Sequence, residues 1–219
     1  MTIADNWASV RTSVHEACDR AGRDPASVTI IAVGKTHPAS AIAEAAAAGA
    51  TDFGENYAQE LAEKQAVLDL PLSWHFIGRL QSNKAKLVAG KVALVHAVEG
   101  TSLAQELGKR AGGVQPLLIS VNLGGEATKG GVTAAALPEL AREITAIPNV
   151  RLDGLMTMPP PEVDPKPLFD ELRTLRDRLR DDLGLPLPVL SMGMSSDFAT
   201  AISCGATHVR IGTAIFGRR

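Results

Sequence analysis

Apolar positions along this chain fall into two alternating kinds of segment. Short runs rich in β-branched residues occupy residues 28–33, 51–53, 73–77, 93–97, 116–121, 152–156, 188–191 and 207–211. Between them lie longer alanine- and leucine-rich stretches with helical periodicity, at residues 39–48, 56–68, 84–89, 103–111, 134–146, 167–183 and 197–204. One more helix precedes the first strand over residues 3–21, and Gly22 and Pro25 end it. Strands alternating with helices predict a parallel sheet covered by helices. Eight such units in 219 residues predict an α/β fold, a single (β/α)8 TIM barrel with an extra N-terminal helix, at the small end of that fold's size range. An open doubly wound sheet is the alternative. Its usual G-x-G-x-x-G first turn does not occur here. No linker or low-complexity tract interrupts the pattern, so residues 1–219 are expected to form one domain. The run Pro159-Pro160-Pro161-Glu162 directly follows a strand and reads as a βα loop.

Composition narrows the partners. With 45% apolar residues the chain can bury a sizeable core, and its net charge of −2 is near neutral. No basic stripe with interleaved aromatics occurs, which argues against nucleic acid. The first residues lack the basic start and apolar centre of a signal peptide. No apolar run approaches the roughly 18–20 residues of a membrane span. Cys18 and Cys204 make no CxxC pair, so the expectation is neither disulfide nor metal, and a reducing cytoplasm. His37, His75, His96 and His208 lack metal-ligand spacing such as H-x-x-x-H and read as rim or core residues. No exposed apolar stripe stands out, so a monomer is expected.

In a barrel of this kind, function gathers where strands end and βα loops begin. The first strand ends Ile30-Ile31-Ala32-Val33-Gly34-Lys35. An apolar wall disfavours the charged form of an amine. A neutral amine facing a pocket attacks an aldehyde to give a Schiff base. Taken alone, the segment reads as a solvated charge that ends a strand. After strands seven and eight stand Ser195-Ser196 and Gly212-Thr213, where barrels frequently bind phosphate. Hydroxyls and free backbone N–H groups at a helix start suit a phosphate, with the two serines read as that start. Ordinary capping by the serines and a C-terminal turn at Gly212 is the competing description. Arg210 sits on a strand expected to be buried on both faces, so it requires a carboxylate or a ligand atom as partner. Gly34-Lys35-Thr36 resembles the tail of a P-loop, but Thr29 stands where that loop needs glycine. The glycine-rich residues 122–131 read either as a flap over the pocket or as an inert surface loop.

These residues carry a family resemblance. Ala32-Val33-Gly34-Lys35-Thr36, Phe53-Gly54-Glu55-Asn56-Tyr57, Trp74-His75-Phe76-Ile77-Gly78, Leu80-Gln81-Ser82-Asn83-Lys84, Gly154-Leu155-Met156, Leu190-Ser191-Met192-Gly193-Met194-Ser195 and the stretch from Val209 to Gly217 follow one another across nearly the whole chain. In these segments the chain resembles the YggS/PROSC group of pyridoxal 5′-phosphate (PLP) homeostasis proteins, also described as alanine-racemase N-terminal-domain-like. The resemblance implies PLP held as a Schiff base on Lys35. It implies phosphate contacts from Ser195, Gly212 and Thr213, Arg210 near the ring nitrogen, and Asn56 lining the pocket. An arginine there would keep that nitrogen unprotonated and weaken the ring as an electron sink. One departure is Gly34, where family members more often carry serine or threonine.

Related alanine racemases add a β-rich domain and a catalytic tyrosine from the partner subunit. This chain ends directly after strand eight, and its only tyrosine is Tyr57. Two-base racemisation therefore lacks its second group in that form. The implied function is intracellular PLP homeostasis without established catalysis, buffering the cofactor or delivering it to PLP-dependent apo-enzymes. The alternatives are a weak PLP-dependent amino-acid racemase and a Schiff-base aldolase acting on a sugar phosphate without PLP.

Overall fold

A computed structural model describes residues 1–125 and 130–217. Its eight strands are β1 (Thr29–Val33), β2 (Asp52–Glu55), β3 (Ser73–Phe76), β4 (Leu94–Val98), β5 (Gln115–Ser120), β6 (Val150–Met156), β7 (Val189–Ser191) and β8 (His208–Ile211). Each pairs in parallel with the next, and β1 pairs with β8, so the sheet closes into the expected barrel. Closure leaves no unpaired sheet edge. It also places every strand's carboxyl end on one face, because all eight run the same way.

The outer layer consists of α1 (Ile3–Arg20), α2 (Ala39–Ala47), α3 (Ala58–Val67), α4 (Thr101–Arg110), α5 (Leu137–Thr145), α6 (Pro165–Leu183), α7 (Phe198–Ser203) and α8 (Thr213–Phe216). Three elements differ from the sequence reading, the first being a short 3₁₀ helix at Pro25–Ser27. The segment after β3 is a 3₁₀ helix, Ser82–Leu87, in place of an α-helix. It is six residues long and mostly polar, with Ala85 as its buried residue, and short pieces commonly adopt the tighter turn. Beyond β8, where the periodicity placed no helix, stands the single-turn helix α8.

Helix α1 compensates for the shortness of α8. It packs against α2, α7 and α8 and so covers the seam between β8 and β1. A capping box starts it, with Thr2 Oγ1 accepting from Asp5 N–H and Asp5 accepting from Thr2 N–H. Trp7, Val10, Val14, Ala17 and Cys18 form its buried stripe at helical spacing. Asn6 Nδ2 donates to the Ile215 carbonyl at 2.9 Å and ties the helix to α8. Gly22, at φ 63°, ends the segment as the sequence indicated.

The large apolar cluster lies between barrel wall and helices and includes Phe53, Leu61, Leu107, Leu117, Ile119 and Phe169. A smaller one, Leu94, Ala97, Leu118, Met156 and Val189, comes from four neighbouring strands and faces inward. Barrel interiors are usually dominated by bulky branched side chains. Here much of the interior is polar. His75, His96, Ser191 and Arg210 are all buried, and the rings of His75, His96 and His208 approach within 5.2–6.2 Å. His37 stands apart, stacked on Phe216. Cys18 and Cys204 are buried and free. Among the described residues, no helix is long and apolar enough to cross a membrane.

Candidate functional site

A cleft of about 490 Å³ opens at the carboxyl ends of the strands. Lys35, Asn56, Ser195, Arg210, Gly212 and Thr213 all line it. Residues far apart in sequence meet there because β1, β2, β7 and β8 finish on the same face of a closed sheet. Arg79 and Glu99 pair at 3.3 Å on its rim. Met156, Met158 and Met194 supply apolar wall.

Lys35 is half-buried and follows β1 directly. The peptide groups on either side of it are held from behind. Lys64 Nζ donates to the Gly34 carbonyl at 2.8 Å, and Thr36 N–H donates to Glu60 Oε2 at 2.7 Å. Lys64 also donates to Glu55 Oε1 at 2.6 Å and lies 3.5 Å from Glu60. Thr36 adopts φ 62°, a left-handed conformation that costs a β-branched residue energy. The three charged side chains therefore clamp a strained turn next to the lysine. Burial pushes the Glu55 carboxyl up to about 7 despite the Lys64 ammonium beside it, and Glu60 adds to the rise. Among the described residues, its Oε2 is buried without a partner.

Sequence reasoning missed this clamp. Its signal was Lys64 on the apolar face of α3, three residues after the buried Leu61. Gly34 lies within it. A Cβ there would collide with Ile42 Cδ1 and lie 3.0 Å from Glu55 Oε1.

The two loops proposed as a phosphate cradle are joined, with Thr213 Oγ1 donating to Ser195 Oγ at 3.3 Å. Their local structure corrects one expectation and removes one competing description. Ser195 and Ser196 belong to a turn before α7, whose cap position is Asp197, so they do not start that helix. Asp197 Oδ1 accepts from Met194 N–H at 2.6 Å and shapes the turn. Gly212 is not a C-terminal turn but the residue preceding α8, whose first N–H groups have no intrahelical acceptor.

Arg210 donates to Ser191 Oγ at 2.7 Å and to the Thr157 carbonyl at 3.0 Å. Both partners are neutral. Among the described residues it forms no ion pair, so the structural ion pair inside the barrel is not made. Burial lowers its pKa to about 10, which leaves it cationic at neutral pH. Among the described residues, Asn56 Oδ1 is buried at the cleft wall with no hydrogen-bond partner. Gly78 allows this geometry, because a Cβ there would run into the Asn56 backbone carbonyl. Tyr57 is exposed and lines an adjoining groove, not the cleft. Of the glycine-rich segment 122–131, Asn122 and Gly130 line the cleft, while residues 126–129 lie outside the described residues.

Comparison with known proteins supplies context for this geometry. The family model for the alanine racemase N-terminal domain matches residues 3–219. A pyridoxal phosphate homeostasis protein of Pseudomonas aeruginosa is 50% identical, covering 100% of this chain and 96% of its own. One from Aquifex aeolicus is 47% identical, covering 100% and 99%. Among solved structures, PipY of Synechococcus elongatus without PLP superposes with TM-score 0.88 at 39% identity, covering 99% of this chain and 100% of that one. With PLP bound, PipY superposes with TM-score 0.87 at 37% identity and the same coverage.

Proposed function

Because the chain belongs to the alanine racemase N-terminal domain family, and to the pyridoxal phosphate homeostasis proteins within it, we propose that it binds PLP in the cleft and serves PLP homeostasis. On this reading residues 1–219 act as one PLP-binding barrel domain. The observation that carries it is the meeting, in one cleft, of the Lys35 amine, the bridged Ser195 and Thr213 loops and the buried Arg210 cation.

The residues present fit this cofactor. When bound, PLP supplies an aldehyde that condenses with an amine, a dianionic phosphate and an electron-withdrawing ring. Lys35 would hold the aldehyde carbon as a Schiff base, with water leaving. Hydroxyls of Ser195 and Thr213, with backbone N–H groups at Gly212 and Thr213, would hold the phosphate. Arg210 only donates hydrogen bonds, so it suits an unprotonated ring nitrogen. Asn56 offers an unmet hydrogen-bonding position in the cleft wall. The clamp behind Lys35 holds the backbone that carries the reacting amine.

A reversible covalent tether suits storage and release of the cofactor, with PLP-dependent apo-enzymes as recipients. The racemase alternative gains no support from the cleft, which Tyr57 does not line. Purified protein incubated with PLP should show a visible absorption band, and borohydride should fix the label onto Lys35. Lys35→Ala should abolish the covalent label. A variant that kept it would sink the assignment.

A further inference from the structure

A continuous polar chain crosses the barrel interior behind the cleft. Asp52 Oδ1 lies 3.1 Å from His75 Nε2, and His75 Nδ1 lies 3.0 Å from His96 Nε2. His96 Nδ1 is 2.8 Å from Ser191 Oγ, which accepts from Arg210 Nη1 at 2.7 Å. The links come from β2, β3, β4, β7 and β8. Asp52 is the first residue of β2, at the barrel's amino-terminal mouth, and its side chain is 24% exposed. Arg210, at the other end, lines the cleft.

The chemistry of the two ends dictates the order of donors between them. A guanidinium only donates and a carboxylate only accepts. With both histidines neutral, one arrangement places a proton in every gap. Arg210 donates to Ser191, Ser191 to His96 Nδ1, His96 Nε2–H to His75 Nδ1, and His75 Nε2–H to Asp52. One added proton changes this order. Placed on His75, the histidine that touches a carboxylate, it makes His75 donate to both Asp52 and His96. His96 must then carry its proton on Nδ1 and donate to Ser191, whose hydroxyl hydrogen is displaced.

The two neighbouring imidazoles are poor places for that proton. Burial, and then His75, His208 and Arg210, hold His96 neutral. Burial, then His75, hold His208 down to about 4, against Asp52 and Asp153. Ser73 Oγ, at 3.5 Å from His75 Nε2, is a further neighbour. His208 bonds Thr207 Oγ1 at 3.0 Å and stands beside the chain, not within it.

We propose that this chain is a proton-linked positioning device for Arg210. His96 and Ser191 orient the guanidinium, and a proton taken up at the far mouth of the barrel changes the hydrogen bond on which Arg210 rests. Its effect on PLP rests on the cleft reading above, but the device itself does not.

Nitrogen-edited NMR of the imidazoles in ligand-free protein tests it. At high pH, His75 and His96 should both carry their proton on Nε2. As pH falls, His96 should switch to the Nδ1 tautomer at the midpoint where His75 becomes doubly protonated. Asp52→Asn should move both changes to lower pH together, by about one unit or more. The Arg210 side-chain N–H signals should follow the same midpoint, and Ser191→Ala should abolish that response. A His96 tautomer unchanged while His75 titrates, or an Arg210 signal indifferent to Ser191→Ala, overturns the proposal. In PLP-loaded protein the visible band should follow the wild-type midpoint and move with Asp52→Asn. Protein that took up no PLP would reject the cleft reading, while the ligand-free tautomers still decide the device.

Discussion

Lys35 owes its placement to residues that never line the cleft. Lys64 and Glu60 hold the backbone on either side of it, and Glu55 neutralises Lys64. Removing the ammonium strands a buried carboxylate, so Lys64→Met should cost about 3–5 kcal/mol in urea unfolding above neutral pH. The cost should shrink in acid, where Glu55 is neutral. Glu55 itself has a raised folded pKa, so its contribution is full below its unfolded value and lost as pH rises. Wild type should therefore lose stability relative to Glu55→Gln as pH climbs from 4.5 to about 7, read from paired melting curves. Thr36→Gly should relieve the left-handed strain and raise the unfolding free energy, read from urea titration, by up to about 1 kcal/mol after the entropy cost of glycine.

Among the elements, α1 has the largest structural consequence. A closed barrel needs apolar cover on every strand, and α8 is too short to cover the seam between β8 and β1. α1 supplies that cover with a stripe led by Trp7, which is 5% exposed. Trp7→Ala should cost about 3–5 kcal/mol, measured by denaturant unfolding. PLP uptake by the folded fraction should persist, because Trp7 lies outside the cleft. Trp7→Phe should be far milder, since the buried indole N–H has no partner to lose.

For the molecule as a whole, barrel closure joins the first strand to the last, so neither half keeps a complete sheet without the other. Calorimetry should show a single unfolding transition. PLP present at 100 times its Kd should add about 2.7 kcal/mol. At about 2–4 °C per kcal/mol for a chain of this size, Tm should rise by about 5–10 °C. Two separate transitions would contradict the single-domain reading.

Periodicity made the eight strands and the N-terminal helix legible, and strand-end chemistry pointed to Lys35, Ser195, Arg210, Gly212 and Thr213; Asn56 came from the family resemblance alone, and all six line one cleft. Such signals are local: they report which face of an element is buried and where it stops. The clamp was only half legible, because Lys64 on an apolar helix face reveals burial but not its partner. The 3₁₀ helix at Ser82–Leu87 and the one-turn α8 escaped because short segments carry too few periods to identify. The polar chain from Asp52 to Arg210 was not legible at all. His75, His96 and Ser191 each look like isolated core positions along the sequence. The sequence by itself determined the eight strands, the longer helices and the ends at which chemistry gathers. Tertiary structure alone decided which side chains meet across the barrel, because closure and register are set jointly by all eight strand pairings.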